Sequence, residues 1–208
     1  MRRVGDRALL LGFDSNEAVH AAARAARELY GDQLVEVVPG HVTLLLVWRD
    51  GAVVSDISEL ALERASSEIS DDDATHPSVV TVPVRYDGAD LDDVAARLGV
   101  SREAVIKQHA GADFVVAFTG FSPGFPYLVA GQEKGQAARL LELPRLETPR
   151  TEVPAGSVAV AAGYCGIYPR ASPGGWNLIG TTDMVLFDPE REPPALLEPG
   201  MWVRFEPQ

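Results

Sequence analysis

Two loops hold the residues whose types and spacing are best suited to bind a small molecule. Residues 120–128 read GFSPGFPYL and residues 172–180 read SPGGWNLIG, so both mix proline, glycine and aromatic residues. Proline fixes φ, whereas glycine reaches positive φ and lets a ligand or another backbone come close. Each segment is therefore predicted to be a loop of fixed shape. Its aromatic side chains either pack at the rim of a barrel, the favoured interpretation, or line a cleft.

Ser122 stands in a G-x-S-x-G pattern, which is typical of the nucleophile in a serine hydrolase. In that mechanism the residue after the serine donates its N–H to the oxyanion, and Pro123 has no N–H. The pattern also requires a helix after the serine, whereas residues 125–127 are predicted to continue as irregular chain. Ser122 is therefore not expected to be a nucleophile.

Three other side chains carry chemistry, and each has a functional and a structural interpretation. Arg150 follows Pro149 in a stiff arm, where its guanidinium could bind a carboxylate or phosphate or form an internal ion pair. His109 ends a predicted helix, where it is a cationic cap or, less favoured, a ligand-binding residue. Cys165 has no histidine near it in sequence, which favours a small buried residue over a nucleophile.

Composition limits the class of protein. The chain has 208 residues, 46% of them hydrophobic, one cysteine and a formal net charge of −12. The negative charge opposes binding to nucleic acid. A single cysteine allows neither an internal disulfide nor a cysteine metal cluster, and the first apolar run, residues 8–13, is too short for a signal peptide or membrane span. We therefore expect a cytoplasmic protein without nucleic-acid, membrane or metal partners.

Hydrophobic spacing and turn residues predict two domains, with a boundary between residues 78 and 79. The first is a two-layer α+β unit with strands at 8–13, 34–38 and 42–48 and helices at 17–30 and 55–69, and a strand at 79–84 follows it. Two short helices, 91–98 and 101–109, come next. Beyond them the strands at 114–118, 158–162, 184–187 and 202–205 predict a closed or nearly closed barrel, with one non-strand segment at 136–141 and a proline-rich arm at 143–156.

Several motifs together resemble one known family. They are the segments 85–88 (RYDG), 108–109 (QH), 120–128, 148–150 (TPR), 153–158 (VPAGSV) and 172–176 (SPGGW). In this order they are similar to the B subunit of 5-oxoprolinase, a family also called allophanate hydrolase subunit 1 or the KipI family. The resemblance covers nearly the whole chain. It departs at Tyr164-Cys165, where Gln-Thr is usual, and at 180–183, where Thr181 replaces an arginine.

The resemblance implies an α+β protein with a small N-terminal two-layer α/β domain, residues 1–78, and a C-terminal cyclophilin-like β-barrel, residues 79–208. It implies no prolyl isomerase activity, because a fold does not carry a function with it. The catalytic residues stay unknown. The residues expected to line a substrate site are His109, Phe121, Pro123, Gly124, Phe125, Tyr127, Arg150, Gly174, Gly175 and Trp176.

Three functions follow as hypotheses. The leading one is a component of an ATP-dependent 5-oxoprolinase, which opens the small cyclic amide 5-oxoproline to glutamate only with the A-type and C-type partner subunits of the same complex. It fits the sequence because no phosphate-binding loop and no nucleophile–base pair stands out, so ATP is expected at the level of the complex. The alternatives are a regulatory inhibitor of a sensor histidine kinase and a part of a urea or allophanate carboxylase-hydrolase system.

Overall fold

The computed structural model describes residues 1–49, 79–131 and 137–208. The chain divides into two compact units, Met1–Pro77 and Ser78–Gln208. The predicted helix at 55–69 and the first residue of the segment 136–141 lie outside the described residues.

The N-terminal unit is built on a four-stranded antiparallel sheet in the order β1-β2-β4-β3. Its strands are β1 (Arg2–Val4), β2 (Ala8–Gly12), β3 (Leu34–Pro39) and β4 (Thr43–Trp48). The strands β2, β3 and β4 confirm the predicted strands. Valine and leucine dominate them, which is why the sequence indicated them. β1 was not predicted, since it is exposed along its length and lacks the apolar pattern of a buried strand.

Helix α1 (Asn16–Tyr30) packs against this sheet. It begins after Ser15, whose Oγ accepts a hydrogen bond of 3.2 Å from the N–H of Ala18, and a short 3-10 helix (Gly31–Gln33) follows it. Small side chains on its inner face let the helix lie close to the strands. The core of this unit is formed by Leu9, Leu11, Val19, Ala22, Ala23, Ala25, Ala26, Leu34, Leu44, Leu46 and Trp48.

The C-terminal unit is built on a seven-stranded sheet in the order β12-β9-β10-β7-β6-β13-β5. Its strands are β5 (Val79–Val84), β6 (Asp113–Thr119), β7 (Pro126–Ala130), β9 (Ser157–Ala161), β10 (Tyr164–Ile167), β12 (Asn177–Thr181) and β13 (Trp202–Pro207). All neighbours are antiparallel except β13 and β5. A separate two-stranded sheet pairs β8 (Arg150–Val153) with β11 (Ser172–Gly174).

The two outer strands of the seven-stranded sheet meet. Arg85 follows β5 and Thr181 ends β12, and their backbones exchange hydrogen bonds of 2.9 and 2.8 Å. The sheet therefore curls until one β-bridge joins its first and last strands. Gly180 is needed at this junction, because a Cβ there would lie 2.6 Å from the carbonyl oxygen of Arg85.

In the described part of this unit the helices are α2 (Leu91–Leu98), α3 (Arg102–Ala110) and α4 (Ala138–Leu141). The first two confirm the predicted helices to within one residue at each end. Gly99 ends α2 with a φ of 69°, and Ser101 caps α3 by accepting the N–H of Ala104 at 3.2 Å. The end of α2 and the start of α3 are set by local residue types, which explains why the sequence predicted them.

The predicted strand at 184–187 is wrong. This segment makes only an isolated bridge between Phe187 and Ala195. The segment is bound within its own loop. The guanidinium of Arg191 donates to the carbonyl oxygens of Val185 and Leu186 at 3.2 Å, and the N–H of Leu196 donates to the carbonyl oxygen of Leu186 at 2.8 Å.

The irregular chain predicted at 125–127 is also wrong from Pro126 onward, since β7 begins there. A proline is tolerated as the first residue of a strand, where its missing N–H costs no ladder bond. Within the described parts of the chain, no helix is long and apolar enough to cross a membrane.

Candidate functional site

Seven aromatic side chains, here called the aromatic cluster, gather on one side of the seven-stranded sheet: Phe118, Phe121, Phe125, Tyr127, Tyr164, Tyr168 and Trp176. Phe125 lies at the centre, with its ring nearly perpendicular to Tyr168 and Trp176 at centroid distances of 5.1 and 5.6 Å. Tyr127 stacks on Phe118 at 4.3 Å. Edge-to-face and offset contacts of this kind add about 0.5–1.5 kcal/mol each to the burial energy.

Glycines make room for these rings. A Cβ on Gly166 would lie 2.9 Å from the ring of Phe125 and 3.0 Å from that of Trp176. A Cβ on Gly174 would collide with the hydroxyl of Tyr168. The aromatic cluster therefore depends on backbone positions without side chains in β10 and β11.

The loop before β7 has the fixed shape that its residues predict. The N–H of Ser122 donates to Gly120 O at 2.7 Å, and the N–H of Phe125 donates to Ser122 O at 3.0 Å. The first bond encloses Phe121 in a γ-turn with a φ of 65°, a strained conformation for a residue other than glycine. The Phe121 side chain is nonetheless 62% exposed, and its ring meets Phe125 edge-to-face at 5.4 Å.

An open groove of about 360 Å³ lies along this loop and is lined by residues 119–124. Gly124, with a φ of 75°, lets the loop approach Phe187, because a Cβ there would lie 2.6 Å from the Cβ of Phe187. The Ser122 hydroxyl is buried and meets no hydrogen-bond partner within the described chain. Among the described residues, therefore, none contacts the hydroxyl as a base would.

Arg150 forms the internal ion pair that was one of its two interpretations. Its Nη2 donates to Oδ1 of Asp90 at 2.6 Å, and Asp90 also accepts the N–H of Leu178 at 2.7 Å. The Asp90 side chain is 8% exposed and that of Arg150 is 30% exposed. The positive charge of Arg150 is therefore paired with the carboxylate of Asp90 in the same chain.

His109 is not the cationic helix cap that its position suggested. It is fully buried between Tyr86, whose hydroxyl lies 2.8 Å from Nδ1, and Cys165, whose Sγ lies 3.3 Å from Nε2. Burial lowers the pKa of the imidazole to about 3, so it is neutral at physiological pH. The ring packs against Phe114 and Phe205 in the core and takes no part in the aromatic cluster.

Cys165 has a histidine beside it that sequence distance concealed, since the two residues are 56 positions apart. Burial raises the pKa of the Cys165 thiol strongly, which disfavours the nucleophilic thiolate. Burial also raises the pKa of the Tyr86 phenol. Burial thus disfavours the charged form of all three groups, which form a hydrogen-bonded chain.

Two tyrosines of the aromatic cluster were not among the predicted site residues. Tyr164, Gly166 and Tyr168 alternate along β10 and the residue after it, which places them on one face of the sheet. The glycine between the two tyrosines is the position that accommodates Phe125 and Trp176. This period of two was the signal that could have identified both tyrosines.

The structure thus brings together Phe121, Phe125, Tyr127 and Trp176 of the predicted residues. Pro123 and Gly124 line the adjacent groove, Gly174 lies against Tyr168, and Gly175 follows it directly before Trp176. Arg150 reaches the cluster electrostatically: burial raises the pKa of Tyr168, and the charges of Arg145 and Arg150 oppose this effect. In the described ranges, no group of three or more His, Cys, Asp or Glu side chains could hold a metal ion.

Thr181, which replaces a usual arginine, lies at the bridge that joins the outer strands. Its hydroxyl donates to Asp87 at 2.8 Å. Two residues later, Asp183 pairs with Arg85 through contacts of 2.6 and 2.9 Å. The sequence departure therefore coincides with a local polar network at the junction and leaves the aromatic cluster untouched.

Comparison with known proteins identifies relatives over nearly the whole chain. The family model described as carboxyltransferase domain, subdomain C and D, matches residues 1–197. The B subunit of 5-oxoprolinase from Escherichia coli O157:H7 is 37% identical over 214 residues, which cover 99% of this chain and 94% of the relative. That of Haemophilus influenzae is 40% identical over 186 residues, which cover 86% of this chain and 83% of the relative.

Solved structures also resemble this chain over nearly its whole length. The crystal structure of TTHA0988 is 39% identical with a TM-score of 0.74 and covers 97% of this chain, which itself spans 40% of that longer chain. The Kluyveromyces lactis urea carboxylase is 22% identical with a TM-score of 0.66, covering 100% of this chain and 21% of the carboxylase, and at that identity the likeness shows the fold alone. Because the family model spans most of the chain and the relatives exceed 30% identity, the chain belongs to the family of 5-oxoprolinase B subunits, within the carboxyltransferase C and D subdomain proteins.

Proposed function

We propose that this chain is one component of an ATP-dependent 5-oxoprolinase, which cleaves 5-oxo-L-proline to L-glutamate together with A-type and C-type partner subunits. The observation that carries the proposal is the 37% identity to a protein named as the B subunit of 5-oxoprolinase across 99% of this chain. The aromatic cluster supports it, because flat apolar walls suit the ring of a small cyclic amide.

The chemistry of the described residues fits a subunit that needs partners. Opening the amide ring requires activation of its carbonyl carbon and attack by water, and ATP supplies the driving force through phosphoryl transfer. The titratable members of the aromatic cluster are Tyr127, Tyr164 and Tyr168, and burial raises the pKa of each. These phenols stay protonated at neutral pH and act as hydrogen-bond groups, so the partners are proposed to bring the nucleotide and the catalytic groups.

The proposed protein has a cyclophilin-like barrel after a small α/β domain and lies in the cytoplasm. A cyclophilin-like barrel following a small α/β domain is supported by the bridge between Arg85 and Thr181. A cytoplasmic location is supported by Cys165, a buried free thiol and the only cysteine in the sequence.

Reconstitution tests the function. The chain is co-expressed with its A-type and C-type partners, and ATP hydrolysis is followed with and without 5-oxoproline. We expect hydrolysis that depends on 5-oxoproline and disappears when this chain is omitted. Equal activity without this chain would contradict the proposal, as would 5-oxoproline-dependent ATP hydrolysis by this chain alone. In parallel assays, this chain is combined with a biotin-carrying carboxylase partner or with a sensor histidine kinase. Support for carboxylation in the first assay, or inhibition of the kinase in the second, would favour the corresponding alternative function.

A further inference from the structure

The segment around Arg145 is fixed against the loop that carries Trp176. The carbonyl oxygen of Pro144 accepts a hydrogen bond of 3.1 Å from Nδ2 of Asn177. On the other side of Arg145, the N–H of Leu146 donates to the carbonyl oxygen of Gly175 at 2.7 Å. Since both neighbours of Arg145 are bound to the two residues that flank Trp176, the backbone of Arg145 is held opposite Trp176, at the edge of the aromatic cluster.

Arg145 differs from Arg150 in having an uncommitted charge. Its side chain is exposed, and it forms no ion pair or hydrogen bond with any part of the chain that the structure describes. Arg150, in contrast, is bound to Asp90. The chain has 30 acidic against 18 basic residues, yet none of the described carboxylates pairs with Arg145.

The positive charge of Arg145 acts on two tyrosines of the aromatic cluster. Burial raises the pKa of Tyr127, and the positive charge of Arg145 acts against this rise. The same two effects act on Tyr168, where burial again dominates. Tyr168 is only 2% exposed, whereas Tyr127 and Tyr164 are half-buried. The ring of Tyr127 lies 5.6 Å from that of Trp176, and the neighbours of Arg145 are bound to the residues that flank Trp176, so Arg145 and the half-buried Tyr127 both lie beside Trp176.

We propose that Arg145 and Tyr127 form an anion subsite, which binds the carboxylate of a small cyclic amide whose ring packs against the aromatic cluster. A guanidinium matches a carboxylate with two parallel hydrogen bonds, and a phenol hydroxyl adds a third donor. This inference rests on the proposed function, and it assigns the carboxylate of 5-oxoproline to Arg145 instead of Arg150.

Kinetics of the reconstituted complex test the subsite. The variants are Arg145→Gln, Arg145→Lys and Tyr127→Phe, and the control is Lys107→Gln, which removes an exposed positive charge from α3. We expect Arg145→Gln to raise the KM for 5-oxoproline by about 10- to 100-fold, the range for loss of a charged hydrogen bond, with the KM for ATP unchanged. Arg145→Lys should recover part of the loss and Tyr127→Phe should cause a smaller one. Lys107→Gln should match the wild type.

A neutral competitor makes the test specific for charge. The lactam 2-pyrrolidone has the ring of 5-oxoproline without its carboxylate, so its inhibition constant should be the same for wild type and Arg145→Gln. An active wild-type complex whose KM for 5-oxoproline is unchanged in Arg145→Gln would overturn the subsite and leave the proposed function standing.

If the wild-type complex is inactive, the proposed function is contradicted. Ligand-observed NMR of the same complex with 5-oxoproline then tests the subsite separately. Binding that is present in the wild type and lost in Arg145→Gln supports the subsite. Absence of wild-type binding, or equal binding to both proteins, overturns it.

Discussion

The guanidinium of Arg150 and the carboxylate of Asp90 are 2.6 Å apart, although 60 residues separate them in sequence. Asp90 directly precedes α2, and its second oxygen accepts the N–H of Leu178 in β12. One buried carboxylate thus links the arm that carries β8 to a helix and to an outer strand of the large sheet. This ion pair gives Arg150 a structural contact, while its Nη1 is buried and meets no hydrogen-bond partner within the described chain.

The first prediction concerns this pair. Asp90→Asn and Arg150→Gln should each lower the free energy of unfolding by about 2–4 kcal/mol, because each leaves a partly buried charge without its partner. The double variant should cost less than the sum of the two, since the unpaired charge is then absent. Thermal unfolding of the three proteins measures the coupling. Arg102→Gln, which breaks an exposed pair with Asp92, is the control and should cost less than about 1 kcal/mol. Additive losses would show that the pair is not coupled.

The second prediction contrasts two glycines of the motif loops. Gly124→Ala should destabilise the protein by about 2–4 kcal/mol, because the residue has positive φ and its new Cβ would lie 2.6 Å from Phe187. Gly175→Ala should stay within about 1 kcal/mol of the wild type, since its Cβ would meet Pro149 at an ordinary distance of 3.5 Å. At this chain length the difference is roughly 5–10 °C in Tm. Equal melting of the two variants would contradict the steric argument.

The third prediction uses the buried imidazole of His109. Its pKa is about 3 in the folded protein and 6.5 in the unfolded chain, so below pH 6.5 the unfolded chain takes up a proton that the folded protein does not. The contribution of His109 is therefore fully present above pH 6.5 and declines as the pH falls, by about 2–3 kcal/mol at pH 4.5.

Denaturant unfolding at about pH 7 and about pH 4.5 measures this dependence. In His109→Gln the loss between the two pH values should shrink by that amount, because glutamine does not titrate, even though the variant is less stable at neutral pH. An unchanged slope in His109→Gln would mean that another group controls acid unfolding.

Local signals in the sequence predicted those parts of the fold whose boundaries are set by neighbouring residues. The helices α2 and α3 are bounded by a terminal glycine and a capping serine, and both appear where expected. The strand β7 begins at a proline inside a loop motif, so its start carries no apolar alternation. Segment 184–187 has the composition of a strand, but its backbone bonds to the following loop, through the N–H of Leu196 and one isolated bridge to Ala195.

The candidate site was predictable in its loops and hidden in its contacts. The proline and glycine content of residues 120–128 indicated a fixed loop, and the backbone hydrogen bonds around Phe121 give it that shape. The partners of Arg150 and Cys165 could not be inferred, because ion pairs and buried hydrogen bonds form between residues that only the folded sheet brings together. Sequence spacing contains no information on those distances.

The last prediction concerns the strained residue Phe121. Its ring is mostly exposed and its φ of 65° is costly for any side chain with a Cβ. Phe121→Gly removes the strain and loses little burial, whereas Phe121→Ala loses the ring and keeps the strain. The glycine variant should therefore be more stable than the alanine variant by about 1 kcal/mol, roughly 2–4 °C in Tm, which reverses the usual order of these residues.

Activity separates this strain from a role in binding. If the ring of Phe121 covers the ligand at the edge of the aromatic cluster, both variants should raise the KM for 5-oxoproline in the reconstituted complex to a similar extent, because both lack the ring. Their stabilities would differ while their KM values agree. An alanine variant as stable as the glycine variant would refute the strain argument, and wild-type KM values in both would place Phe121 outside the binding surface.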